Sequence, residues 1–291
     1  MTKLRLGLLH SRLRLEEKLL IRAAQRRDDL ELVLLNTSDL VLDFERLPQV
    51  DVVLDREISQ SRALHVLDVL ERNGVKTINC YGAVRVGGDK VLTSKRLFNA
   101  GVPTPRVKVA FTKESALRAV EQMGYPVVLK PVDGSWGRLM AKIENRTAAE
   151  AILEHKSQLS SYYHGVFYLQ EFIDKPGRDI RAFVIDGTTV CAAYRSSDHW
   201  LTNAALGAKT YACPVTPELN ALCLKAAAAV GGETIAVDLM ETQDGLTVHE
   251  VNCAMEFKTS LQAVSVDLPA LIIDYCVRAG RAARQGKDEV S

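Results

Sequence analysis

The sequence predicts a mixed α/β and α+β protein, an N-terminal α/β layer followed by β-rich modules. Three observations carry this. Short apolar runs alternate with helically spaced segments up to about residue 88. Turn signals at Asp186-Gly187 and Gln243-Asp244-Gly245 mark hairpins in the second half. Two strand-like segments near the end, Ile235–Met240 and Val248–Asn252, carry a carboxylate and a Glu-x-Asn pair.

Taken in order, Leu4–Leu9 is a buried-strand run and Leu15–Arg27 has helical spacing. Leu30–Leu35 and Val50–Leu54 are strands, Ser61–Asn73 is a helix ended by Gly74, and Lys76–Asn79 is a fourth short strand. No Gly-x-Gly-x-x-Gly occurs in this layer, so it is not read as a dinucleotide site. Gly87-Gly88-Asp89-Lys90 opens a helix that runs to Asn99 and is closed by Gly101 and Pro103. Val107–Phe111, a helix over Lys113–Met123, Val127–Lys130 and Arg138–Ile143 make a β-rich module, followed by a helix over Thr147–Gln158. Val166–Phe172 and Asp179–Ile185 are strands, and Asp186-Gly187 turns the second into Thr189–Tyr194. Pro217–Val230 is a helix stopped by Gly231-Gly232, and a last helix spans Pro269–Arg281. The expected modules are 1–88, 89–168 and 169–283, with a frayed charged tail over 284–291.

Composition narrows the class. The 291 residues are 47% hydrophobic, ordinary for a globular protein. With 37 basic and 36 acidic residues the net charge is +1, so no nucleic-acid partner is implied. The arginines at 12, 14, 22, 26 and 27 interleave with acidic residues, as on the wet face of a helix. Six cysteines form no Cys-x-x-Cys pair and are expected to be idle thiols. The first apolar run is too short for a signal peptide, and none approaches the roughly 20 residues that span a bilayer. A cytoplasmic protein with no membrane association is expected.

Side chains alternate along a strand, so Glu250 and Asn252 share a face. A three-residue loop over Gln243-Asp244-Gly245 brings Asp238 opposite Glu250. Three hard oxygen donors on one spot suit Mg2+, which takes one or two carboxylates and fills its other positions with phosphate oxygens. A nucleoside triphosphate follows as the expected ligand. Lys130 ends an apolar strand, where an ammonium meets a phosphate. Gly134-Ser135-Trp136-Gly137 allows backbone N–H groups close to an anion. The apolar strand with Gln170, Glu171, Phe172 and Ile173 offers an adenine a backbone edge and an apolar sandwich. Arg178, Asp179, Arg181 and Arg195 crowd the next two strands, where guanidinium forks suit phosphate and carboxylate. Asn203 offers a donor and an acceptor. Singly, each fits a blander explanation: a snorkelling lysine, a glycine hairpin, a solvated edge glutamate, ordinary polar surface. Their combination shifts the balance.

The ordered set Lys90, Val-Val-Leu-Lys130-Pro, Gly-Ser-Trp-Gly-Arg138, Gln-Glu171-Phe-Ile, Gly-Arg-Asp179-Ile-Arg181, Tyr-Arg195, Thr-Asn203, Asp238 and Glu250-Val-Asn252 resembles the ATP-grasp ligases of the RimK-like branch. A narrower set resembles the LysX/ArgX type: Leu-Glu-His155-Lys156, Lys-Pro-Gly-Arg-Asp-Ile-Arg181, His199-Trp200-x-Thr-Asn203 and Glu-Val-Asn-x-x-Met-Glu256-Phe257-Lys258. The resemblance runs from Arg12 and Ile58-Ser59-Gln60-Ser61-Arg62 to the final helix.

The resemblance implies an ATP-grasp fold with an N-terminal pre-ATP-grasp domain. ATP and two Mg2+ are the implied cofactors. By position, Lys90 and Lys130 would contact phosphates, residues 134 to 137 would close over them, and Glu171 to Ile173 would hold adenine. Asp238, Glu250 and Asn252 would bind the ions. The implied reaction phosphorylates the side-chain carboxylate of the C-terminal glutamate on a small acidic amino-group carrier protein. The amine of 2-aminoadipate or glutamate then forms the amide. Arg195 and Asn203 would act at the acyl centre, and Glu256, Phe257 and Lys258 near the substrate. Arg178, Arg181, Arg195 and Lys258 would supply positive charge to the carrier tail. A homo-oligomer is usual in the family. Two departures bear on the amino acid and carrier: Asn203-Ala-Ala-Leu206-Gly207-Ala208 replaces the family's Asn-x-x-Arg-Gly-Gly, and Thr259 replaces an asparagine. Two other readings are a RimK-like glutamate ligase acting on a ribosomal protein or peptide, and a non-catalytic nucleotide-binding protein. His199-Trp200 with Met255–Lys258 disfavours the first, and the intact Asp238/Glu250/Asn252 set the second.

Overall fold

The computed structural model describes residues 3–134, 138–158, 165–202 and 207–288. Its first layer is a parallel sheet in the order β2-β1-β3-β4, built from β1 (Leu4–His10), β2 (Leu30–Asn36), β3 (Val52–Asp55) and β4 (Lys76–Ile78). Leu6, Val52, Val53 and Leu54 are at most 2% exposed, because helices cover both faces of the sheet. Helix α1 (Leu15–Gln25) covers one face and helices α2 (Gln60–Arg72) and α3 (Tyr81–Gly87) the other. Helix α3 escapes sequence reading because it is seven residues long and contains two glycines.

Asp89 caps helix α4 (Lys90–Asn99) by accepting from the backbone of Val91 and Leu92. An antiparallel sheet follows, order β5-β8-β6-β7, from β5 (Val107–Ala110), β6 (Val127–Lys130), β7 (Ala141–Ile143) and β8 (Phe167–Glu171). Helices α5 (Lys113–Met123) and α6 (Arg146–Ser157) pack on it. Strand β8 pairs within this sheet up to Glu171, opposite Val127, so the sheet changes after Glu171 and not at 168/169. Strand β7 is shorter than expected because residues 138–139 form a turn.

The third sheet, β11-β10-β9-β12-β13, is antiparallel. It comprises β9 (Arg178–Ile185), β10 (Thr188–Ser196), β11 (Lys209–Cys213), β12 (Thr234–Thr242) and β13 (Gly245–Asn252). The β9–β10 turn has φ of 50° at Asp186 and 66° at Gly187, the left-handed pair that a two-residue hairpin needs. Edge strand β11 lacks apolar alternation, which hid it in the sequence. Helix α7 (Pro217–Val230) packs with α4 on one face. Helix α8 (Leu268–Asp288) joins the other face to the parallel sheet through Phe183, Ile185, Leu6 and Ile272.

Two further features differ from expectation. The β12–β13 loop has two residues, since Thr242 pairs with Gly245. A bulge at His249 restores the frame, and Asp238 still lies opposite Glu250. Helix α8 runs on to Asp288, into the stretch expected to fray from residue 284. Ion pairs tether its last turns to the first layer: Arg281–Asp29 at 2.6 Å and Arg284–Asp51 at 3.9 Å.

Candidate active site

Strand ends from the two antiparallel sheets, with the start of α4, enclose a polar cleft. Its metal-ligand candidates lie together. Asp238 on β12 pairs in register with Glu250 on β13, and the Asn252 amide lies 3.4 Å from Asp238 Oδ2. The register also sets Arg181 of β9 against Asp238, and its fork donates at 2.8 and 2.7 Å. Arg195 of β10 is 2% exposed; it donates to Asp179 Oδ1 at 2.6 Å and reaches Asp238 Oδ2 at 3.3 Å. Burial opposes a charge on Asp238, but Arg181 and Arg195 more than offset this and hold its pKa below the usual carboxylate range. The same pairing overcomes burial at Arg181 and raises its pKa.

Three lysines add to these arginines. Lys90 Nζ donates to the Gly134 carbonyl at 2.8 Å and lies 3.7 Å from Glu250. Lys130 is 6% exposed, and burial pushes its pKa down to about 8. Lys175 donates to the Thr202 hydroxyl at 2.6 Å and lies 3.5 Å from Asp179. Burial lowers the Lys175 pKa too, against the pull of Asp179. Five cations thus face the carboxylates Asp179, Asp238 and Glu250, and the excess suits a polyanion. The wall opposite is apolar, from Met140, Ile173, Leu201 and Met240, with Gln170 and Glu171 along the β8 edge. Phe172 sits 6.3 Å from Trp200 and carries Lys142 Nζ 4.4 Å from its ring centre. Such a wall fits a flat heteroaromatic ring with hydrogen-bonding edges.

No trio of His, Cys, Asp or Glu that could hold a metal occurs among the described residues. The donor set here is two carboxylates and an amide, hard oxygens that fit Mg2+ when phosphate oxygens supply the remainder.

Some predicted residues are elsewhere. Arg178 is held by Glu241 at 2.6 and 2.8 Å and lies 4.1 Å from the Tyr194 ring centre, outside the cleft lining. Phe257 is 0% exposed in the core beside Arg56, so it shapes its loop from within and presents no ring to a substrate. Glu256 accepts from Arg14 at 2.7 Å, and Lys258 is exposed. Cys253 faces away from the ligands and donates to the Ala83 carbonyl. Ser135, Trp136, Gly137, Asn203 and Leu206 lie outside the described residues.

Sequence reading missed Lys175, though it opens the Lys-Pro-Gly-Arg-Asp segment already singled out. It also missed His249, whose ring nitrogens are buried with no partner among the described residues. Burial and nearby Lys130 keep its pKa well below the ordinary value. Only the bulge turns it to the cleft, and no local signal announces a bulge.

Comparison with known proteins places this geometry. Residues 87–276 match the RimK-like ATP-grasp domain, and residues 6–86 match the LysX preATP-grasp domain. The chain is 35% identical over 266 residues to the alpha-aminoadipate–LysW ligase LysX of Saccharolobus solfataricus, covering 90% of this chain and 96% of that protein. It is 35% identical over 277 residues to the glutamate–LysW ligase ArgX of Sulfolobus acidocaldarius, covering 94% and 98%. The crystal structure of a RimK domain ATP-grasp protein from Sphaerobacter thermophilus superposes with a TM-score of 0.79 at 30% identity, covering 94% and 99%. Among the described residues no helix is long and apolar enough to cross a membrane.

Proposed function

Because the chain belongs to the RimK-like ATP-grasp family and carries a LysX preATP-grasp domain, we propose that it is an ADP-forming carboxylate–amine ligase acting on a carrier protein. ATP phosphorylates the side-chain carboxylate of the carrier's C-terminal glutamate. The amino group of 2-aminoadipate or glutamate then displaces phosphate and forms the amide. The observation that carries this reading is the near full-length similarity to two LysW ligases, one for each amino acid.

The cleft supports the chemistry. Phosphoryl transfer needs positioning and charge neutralisation more than covalent participation. Lys90 and Lys130 are proposed to contact the phosphates, Gln170 to Ile173 the adenine, and Asp238, Glu250 and Asn252 the Mg2+; the cleft lining and the Asp238–Glu250 register support this. A bound Mg2+ supplies charge neutralisation on the phosphates. Arg181 and Arg195 hold Asp238 ionised and in place. Arg195 and Asn203 are proposed to act at the acyl centre, with Glu256 and Lys258 nearby.

The test is intact mass of an acidic LysW-type carrier incubated with the enzyme, ATP, Mg2+ and either amino acid. A gain of one amino acid minus water is expected with one of them. No gain with either, while ATP still binds, overturns the choice of acceptor or amine.

Lys130 adds a pH prediction. Its ammonium is the phosphate-binding form, and burial lowers its pKa to about 8. Below that pH the charge is present; as pH rises through it, the free enzyme loses the charge. The profile of kcat/KM for ATP, which reports free-enzyme groups, is expected to fall above about pH 8. Lys130→Arg, charged throughout this range, removes that limb. A flat wild-type profile to pH 9 rejects the assignment.

A further inference from the structure

A second cavity, of about 150 Å3, opens beside Lys90, Glu250 and Asn252 on the side of the parallel sheet. It lies at the carboxyl end of β3, where open α/β sheets bind ligands; strands β2 and β3 flank β1 on opposite sides, the topological switch point. Asp55, the last residue of β3, lines it and is 4% exposed. Its Oδ1 accepts the Glu57 backbone N–H at 3.0 Å, and no hydrogen bond or ion pair reaches its other oxygen among the described residues.

The surroundings isolate this carboxyl group. Arg56 is next in sequence, but its guanidinium is committed to Glu17 and the Met255 carbonyl. Glu57 also lines the cavity, yet its oxygens accept from the Ser11 and Thr37 hydroxyls and the Ser59 backbone. Asp55 is thus a buried acceptor lining a cavity where, with Glu250 assigned to Mg2+ and Lys90 to phosphate, the carboxyl groups of Asp55 and Glu57 remain. Their field attracts an ammonium. The groups acting on Asp55 are Arg56 and Glu57, with the Cys253 thiol close by. Burial pushes its pKa up to about 7, the range in which a general base works best at neutral pH.

We propose that this cavity receives the amino group of the acceptor amino acid and that Asp55 is the base that deprotonates it. The proposal rests on the ligase reading above. The ammonium gives one proton to the Asp55 carboxylate. The neutral nitrogen attacks the acylphosphate carbonyl carbon, and the C–N bond forms. The C–O bond to phosphorus's oxygen breaks; phosphate leaves with the bonding pair and carries off the second proton as hydrogen phosphate. Asp55 returns its proton to solvent.

The experiment compares wild type and the near-isosteric Asp55→Asn on two amines, with carrier, ATP and Mg2+. One is 2-aminoadipate or glutamate. The other is hydroxylamine, a nucleophile neutral near pH 7 that needs no base. Loss of general-base help costs about 10²–10⁴-fold. Asp55→Asn is expected to lose that much amino-acid ligation while hydroxamate formation on the carrier and KM for ATP stay within about twofold. Because hydroxamate formation needs a folded, ATP-competent enzyme, it also controls for folding. A parallel loss of both products, or unchanged ligation, overturns the role of Asp55. If wild type forms neither product, the ligase reading itself falls, and this proposal with it.

Discussion

Glu250→Gln is expected to lower ATP-dependent ligation by about 10²–10³-fold or more, the scale of removing one preorganised charge-stabilising group, while leaving the fold intact. The contrast with Asp238 explains the choice. Glu250 has 23% of its side chain exposed and, among the described residues, only Lys90, at 3.7 Å, as an ion-pair partner. Removing its charge breaks no hydrogen-bonded ion pair among them, and Lys130, the buried cation it acts on, keeps the attraction of Asp238 and can shed its proton. Asp238, at 2% exposure, neutralises Arg181 and Arg195, so its replacement would confound catalysis with stability. Turnover measured across a Mg2+ titration is the readout. The variant is expected to need more Mg2+ and to keep a melting midpoint close to wild type. Near-normal turnover at wild-type Mg2+ would remove Glu250 from the metal site.

Arg195→Met is expected to act on stability first. The guanidinium is 2% exposed and compensates Asp179 at 2.6 Å and Asp238 at 3.3 Å. Breaking a buried pair from one side costs about 3–5 kcal/mol, which lowers the melting midpoint by on the order of 10 °C in a chain of this size. Arg195→Lys retains the charge without the fork and is expected to fall between the two. The loss has a pH signature. Burial disfavours an ionised Asp238, but Arg181 and Arg195 hold its folded-state pKa below the ordinary 3.8. Its contribution is therefore full above that pH and lost as pH falls through the folded-state value. The gap between wild type and variant should narrow below about pH 3.8. A melting midpoint unchanged by Arg195→Met would mean that Asp179 and Asp238 do not depend on it.

Much of the frame was legible because its signals are local. Asp186-Gly187 forces two left-handed residues in a row, and Pro217 and Gly231 bound a helix by what they forbid and permit. Alternation alone puts Glu250 and Asn252 on one face. Where the local signal was weak, reading failed: seven-residue α3, exposed β11, and an α8 whose last turns are held by distant Asp29 and Asp51.

The sequence by itself determined most of the element order and the family, and it nominated the candidate phosphate and metal donors. Tertiary structure decided which charges remain available. Arg178 is withdrawn by Glu241, the Phe257 ring is taken into the core, and Arg195 is shared between two carboxylates on other strands. It also turned His249 to the cleft through a bulge, and left Asp55 buried at a strand end with no ion pair among the described residues. The reason is range. Turns, caps and alternation act over a few residues, whereas burial and Coulomb compensation are settled only when segments distant in the chain are packed together.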